Sequence, residues 1–178
     1  MCCGTSVARS KSGCDRDSSL IVSALSDAER RFLEELNARR VRYMIVGLTA
    51  AIIQGANTAT RDIDLWFATI ADPQIAPAAA AAGGVWVAGF RMMPAQLGGA
   101  LGDRFDVVNW MSGLGQFDDE YAAAIVAQID GVPVKVLPLT RILVSKRAAD
   151  RPKDRAVIPA LEEALAAISD TTVLDDET

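Results

Sequence analysis

Two aspartates, Asp62 and Asp64, stand at i and i+2 in an apolar run, Asp62-Ile63-Asp64-Leu65-Trp66-Phe67. On a β-strand that spacing points both carboxylates to one face. Like charges held so close on a half-buried strand are costly unless a cation lies between them. The economical partner is a divalent metal. The plain alternative is a solvated strand end, and the flanking Ile63, Leu65, Trp66 and Phe67 argue against it. A third carboxylate, Asp106, opens the later stretch Phe105-Asp106-Val107-Val108. Neighbouring strands run about 4.8 Å apart, so Asp106 is within reach of an ion held by the first pair. Three carboxylates with a phosphate can hold two Mg²⁺ ions about 3.5–4 Å apart, the arrangement used for in-line phosphoryl displacement. Such a donor set suits Mg²⁺ or Mn²⁺ better than zinc. Asp103 is an alternative third ligand, although it precedes the strand and reads as a turn residue. An ordinary exposed strand start is the plain reading of Asp106.

Phosphate chemistry needs cations and bare backbone as well. Gly47 follows the apolar run Tyr43-Met44-Ile45-Val46 and opens a helical segment, Gly47-Leu48-Thr49. Amides at a helix start attract phosphate, and the Thr49 hydroxyl is a further candidate donor. Gly47 as a mere strand end is the alternative. Downstream lies a dense charged block from Lys146 to Arg155, containing Arg151 and Lys153. Cations there suit the end of a helix. They also suit the neutralisation of a triphosphate by Lys146 with Arg151 or Lys153. Gly98, Gly99 and Gly102 lack the following helix and Lys of a phosphate loop.

The elements that would position these groups can be read along the chain. Ser26 with Glu29 forms a capping-box pattern, and the helix it opens places Ala28, Phe32, Leu33 and Leu36 on one face before ending near Arg39-Arg40. Residues 41–46 read as a buried strand, 48–54 as a short helix with Gly55 at its end, 56–60 as a loop, and 63–67 as the second strand. A helix begins at Asp72-Pro73 or at Pro77 and runs through the alanines to Gly83-Gly84. Residues 85–90 read as a strand, 92–103 as a glycine-bearing loop and 105–110 as a strand. Residues 121–128 suit a short helix or an extended segment equally. Asp130-Gly131 marks a turn before an alternating strand over 132–137. Residues 139–148 are helical, and Val157, Ile158, Leu161, Leu165 and Ile168 trace one face of a last helix despite Pro159. The expected architecture is α+β, a small mixed β-sheet packed with helices. Residues 26–169 form its domain, between a disordered tail over 1–25 and an acidic tail over 170–178.

Composition narrows the chemistry further. The chain has 178 residues, of which 51% are hydrophobic, enough for one domain with a proper core. It has no histidine, which excludes His-based triads, His-ligated zinc and imidazole general bases. Eighteen cationic against 23 acidic side chains give a formal charge of −5, which disfavours broad, sequence-independent binding to nucleic acid. No apolar run approaches the ~20 residues that cross a bilayer. Cys2, Cys3 and Cys14 are an odd set confined to the N-terminal tail, the pattern of free thiols in a reducing cytoplasm.

Taken together these residues resemble the nucleotidyltransferase superfamily that shares the DNA polymerase β palm. Its pattern is a strand ending in glycine, a short helix, Asp-x-Asp on the next strand and a third Asp further on. Here the pieces are Gly47, Asp62 with Asp64, and Asp106. Thr60-Arg61-Asp62-Ile63-Asp64-Leu65, then Lys146 and Arg151-Pro152-Lys153-Asp154, are similar to small bacterial members of the AbiEii/AbiGii toxin type. The resemblance implies a Mg²⁺-dependent (or Mn²⁺-dependent) transfer of a nucleoside monophosphate from an NTP to an acceptor hydroxyl on a protein, an RNA or a small molecule. It also implies a possible cognate toxin or antitoxin protein as partner. Asp62, Asp64 and Asp106 would be both catalytic and metal-binding, while Gly47, Thr49, Lys146, Arg151 and Lys153 would bind the nucleotide. Leu48 stands where the superfamily favours Gly or Ser, and Thr58 where a basic residue often sits. Leu48 motivates the alternative of a degenerate module that binds a nucleotide or a partner without turnover. Phosphatases of the haloacid dehalogenase type want Thr where this chain has Trp66.

Overall fold

A computed structural model describes residues 25–89 and 93–174. The chain begins with helix α1 (Asp27–Ala38), started as its sequence requires. Ser26 Oγ accepts from the Glu29 amide at 3.2 Å, and Glu29 Oε2 accepts from the Ser26 amide at 2.8 Å. Phe32, Leu33 and Leu36 are fully buried on the inner face. Strand β1 (Tyr43–Val46) is buried along its whole length. It lies between two neighbours with both faces covered, which explains its unbroken apolar run.

Helix α2 (Gly47–Ile53) and strand β2 (Ile63–Phe67) follow. Then come α3 (Ile75–Ala81), β3 (Gly84–Val87), β4 (Gln96–Gly99), β5 (Phe105–Val108), α4 (Phe117–Ala123), β6 (Ile125–Ile129) and β7 (Val132–Val136). Helices α5 (Leu139–Ala149) and α6 (Pro152–Leu174) close the chain. Five strands form a mixed sheet in the order β5-β2-β1-β7-β6, and β3 with β4 makes a separate antiparallel pair. β2 and β6 run antiparallel to β1 and β7 respectively, while β1–β7 and β2–β5 are parallel. The result is the expected α+β architecture.

Several boundaries follow local chemistry. Asp72 Oδ1 accepts from the Gln74 amide at 2.8 Å, and α3 begins three residues after it. Pro77 therefore falls in the first turn, where no donor is needed. Residues 121–128 contain both alternatives: α4 ends at Ala123, one extended residue (Ala124) intervenes, and β6 begins. Asp130 and Gly131 both have positive φ, the turn that suits a two-residue hairpin. Pro133 sits in β7 without breaking the sheet, because the register of β7 with β1 reaches only Val136. Pro152 starts α6 after Asp150 ends α5 in the left-handed region.

Residues 92–103 are not a simple loop. They contain β4, paired through Gly84 with Gly99 and Val85 with Gly98. A Cβ on Gly84 would collide with Leu101, which is fully buried against it. Glycine there is a packing requirement, and it hid the strand from any side-chain pattern. β3 ends at Val87 and β5 at Val108, both shorter than the sequence suggests. The expected N-terminal tail, with its three cysteines, lies outside the described residues except for Leu25, whose amide donates to Asp130 Oδ2 at 2.6 Å. Residues 170–174 of the expected acidic tail belong to α6, and 175–178 lie outside the described residues.

Candidate active site

Strand register assembles the acidic group. Val46 pairs with Asp64 across β1 and β2, and Asp64 pairs with Asp106 across β2 and β5. Asp62 lies just before β2 and is exposed. All three line one cleft of about 780 Å³, together with Gly47, Leu48, Lys146, Arg151 and Lys153. Asp103 is absent from that lining and lies in the turn before β5, whereas Asp106 is part of it.

Gly47 has φ +66°, a left-handed conformation that glycine adopts freely. A side chain there would run into the Asp64 carboxylate. Glycine at 47 thus lets the β1–α2 turn close directly over the carboxylate of the neighbouring strand. Burial, then the charges of Asp106 and Asp62, push the Asp64 carboxyl up to about 6, while Lys146 and Lys153 pull it down. Asp64 is only partly buried, and the carboxylates around it add repulsion.

Thr49 requires a correction. It is buried, does not line the cleft, and donates its hydroxyl to the Asp62 backbone carbonyl at 2.6 Å. Its work is to tie α2 to the approach of β2. The hydroxyl is committed to that bond and does not face a phosphate. The Asp62 amide in turn donates to Thr60 Oγ1 at 3.2 Å, which fixes the aspartate from its own side.

The opposite wall comes from the α5–α6 junction. Lys146, with a side chain 15% exposed, donates to Asp154 Oδ1 at 2.9 Å. Arg151 Nε donates to Asp154 Oδ2 at 2.5 Å, and its second nitrogen reaches Oδ1 at 3.3 Å. Asp154 is 0% exposed. Burial alone would raise its carboxyl, but hydrogen bonds from Arg151 and Lys146 and their charges outweigh this and hold it down at about 2. Asp154 also lines the cleft and was missed as a site residue. Its signal is present in Arg151-Pro152-Lys153-Asp154, where the acid follows Arg151 by three residues. Lys153 is exposed beside it.

Among the described residues the carboxylates do not close into a ready cage of three or more ligands around one point. The donors are nevertheless of the type that fits Mg²⁺. That ion takes one or two carboxylates and completes its shell with water and substrate phosphate. The like-charge repulsion at Asp64 is what a cation would relieve.

No family model matches the chain, and no curated protein matches its sequence. Its structure is similar to the solution structure of the antibiotic-resistance factor ANT(2'')-Ia, with TM-score 0.54 and 16% identity over 79% of this chain and 82% of that one. It is also similar to crystalline ANT(2'')-Ia in complex with adenylyl-2''-tobramycin, with TM-score 0.50 and 17% identity over 80% and 88% of the two chains. A nucleotidyltransferase-like protein from Paracoccidioides brasiliensis matches with TM-score 0.46 and 18% identity over 80% and 85%. At these identities the likeness is one of fold: the chain has the nucleotidyltransferase fold.

Proposed function

We propose that the chain is a Mg²⁺- or Mn²⁺-dependent nucleotidyltransferase that moves a nucleoside monophosphate from an NTP to an acceptor hydroxyl. One observation carries this reading. Asp64 pairs with Asp106, and Asp62 stands beside them, in a cleft whose other wall presents Lys146, Arg151 and Lys153. The fold supports it, since the similar ANT(2'')-Ia structure holds adenylyl-2''-tobramycin.

Asp62, Asp64 and Asp106 would hold the divalent ion. When bound, such an ion would offset negative charge on the transferring phosphoryl group. Lys146, Arg151 and Lys153 draw the phosphates to the facing wall. Gly47 keeps backbone without a side chain beside Asp64, leaving the phosphate room to approach. Asp106 accepts the proton of the acceptor hydroxyl. The hydroxyl oxygen then bonds to the α-phosphorus. The bond from that phosphorus to the bridging oxygen breaks, and pyrophosphate leaves with the electron pair.

The acceptor is a protein side chain, a small molecule or an RNA end, of which the net charge of −5 suits RNA least. The AbiEii-type likeness of the two motifs favours a cytoplasmic protein working beside a cognate toxin or antitoxin. A second reading has one observation behind it. Leu48 lines the cleft directly after Gly47, where its bulk narrows the phosphate approach, so the domain would bind nucleotide without turnover.

Incubation with Mg²⁺ and labelled NTPs separates the two. The enzyme should transfer label or release pyrophosphate, and Asp62→Ala should lower the rate about a hundredfold or more. Nucleotide binding without turnover supports the binding module. Transfer that survives in Asp62→Ala overturns the assignment of the acidic group.

A further inference from the structure

We propose that Trp110 is the platform on which the base of the incoming nucleotide stacks. The inference rests on the reading of the cleft as an NTP site and adds the subsite for the base. Trp110 is 72% exposed, whereas Trp66 is 3% exposed and Trp86 packs partly against the core. A scattered exposed side chain needs no explanation. This one lines the same cleft as the three aspartates.

Its place in the chain determines what it can touch. β5 ends at Val108, and residues 109–112 continue along the cleft. Gly113 then turns back at φ +70°, so close to α5 that a Cβ would run into Ala148 and approach Val144. The segment is therefore seated against the helix that carries Lys146. Residues 109–112 thus run from the end of β5, the strand that carries Asp106, to the helix that carries Lys146. A triphosphate held by Lys146, Arg151 and Lys153 carries its base a ribose away, and Trp110 is the aromatic side chain that the described lining of the cleft offers it.

Stacking reads only the flat face that every base possesses. The subsite therefore grips nucleotides without strong choice among bases. Truncating an aromatic platform of this kind weakens binding by about fivefold to a hundredfold.

The test compares two probes on wild type, Trp110→Ala and Trp110→Phe. One is non-cleavable α,β-methylene-ATP with Mg²⁺, and the other is Mg²⁺ tripolyphosphate, which lacks a base. Affinities come from calorimetry. Acrylamide quenching of indole emission supplies a second readout, because Trp110 dominates the accessible indole surface. Trp110→Ala should bind methylene-ATP about tenfold more weakly and tripolyphosphate unchanged. Trp110→Phe should keep most of the affinity, and methylene-ATP should shield wild-type indole from acrylamide where tripolyphosphate does not. Equal affinity of wild type and Trp110→Ala for methylene-ATP overturns the proposal, as does wild type holding both probes equally. Either result leaves the transferase reading standing if label transfer occurs. If neither probe binds, the NTP reading of the cleft fails and the platform fails with it.

Discussion

Two carboxylates of one cleft respond to pH in opposite directions. The Asp64 carboxyl is raised from 3.8 to about 6, by burial first and then by Asp106 and Asp62. The metal-free folded protein therefore binds a proton there more readily than the unfolded chain does. The stability this contributes is fully present below about pH 4 and is lost as pH rises through about 6. Two pKa units correspond to up to about 3 kcal/mol. Thermal melts in chelator from pH 4 to 8 should show that decline, and Asp64→Asn should flatten it and melt higher at pH 7. An unchanged slope in Asp64→Asn would show that the repulsion lies elsewhere. Asp154 behaves conversely: lowered to about 2, it stabilises above about pH 4 and loses that contribution only as pH falls through 2. The gathering of residues in one cleft is legible at this scale wherever residue type and spacing carry it, as at Gly47, Asp62, Asp64, Asp106 and Lys146. Thr49 is not, because the direction of a hydroxyl depends on how α2 sits over β2. Nor is the place of Trp110 in the cleft, because 105–110 reads as one continuous strand whereas β5 stops at Val108.

Elements were readable where side chains alternate and obscure where they do not. β7 declares itself through Val132, Val134 and Val136, all buried. β4 has two glycines in four residues, so its period is invisible. Its existence depends on a contact across the hairpin, where Leu101 fills the space a side chain on Gly84 would take. Gly84→Ala should accordingly overpack this junction and lower stability by about 1–3 kcal/mol, read from the denaturant midpoint. A neutral result would mean that Leu101 can swing aside. The join of α4 to β6 was undecidable for a different reason. Ala123, Ala124 and Ile125 contain no glycine, proline or cap, and the switch rests on Ala124 alone adopting an extended conformation.

At the scale of the molecule, the cleft spans parts of the chain far apart in sequence: the β1–α2 turn, the ends of β2 and β5, and the α5–α6 junction. A ligand that bridges these parts stabilises only the folded state. With Mg²⁺ and α,β-methylene-ATP at about a hundred times Kd, linkage contributes about 2.7 kcal/mol. For a chain of this size that is a rise in Tm of about 5–10 °C. Chelator should abolish the rise if the divalent ion is part of the binding unit. A rise that persists in chelator would show that the cationic wall suffices without the ion. That wall has a further property. Because Asp154 grips Lys146 and Arg151 from inside the protein, both long side chains have surrendered much of their rotamer freedom before any anion arrives. The entropy of ordering them is settled during folding, so if this wall receives a phosphate, as proposed, the anion would lose less of its own attraction in arranging them.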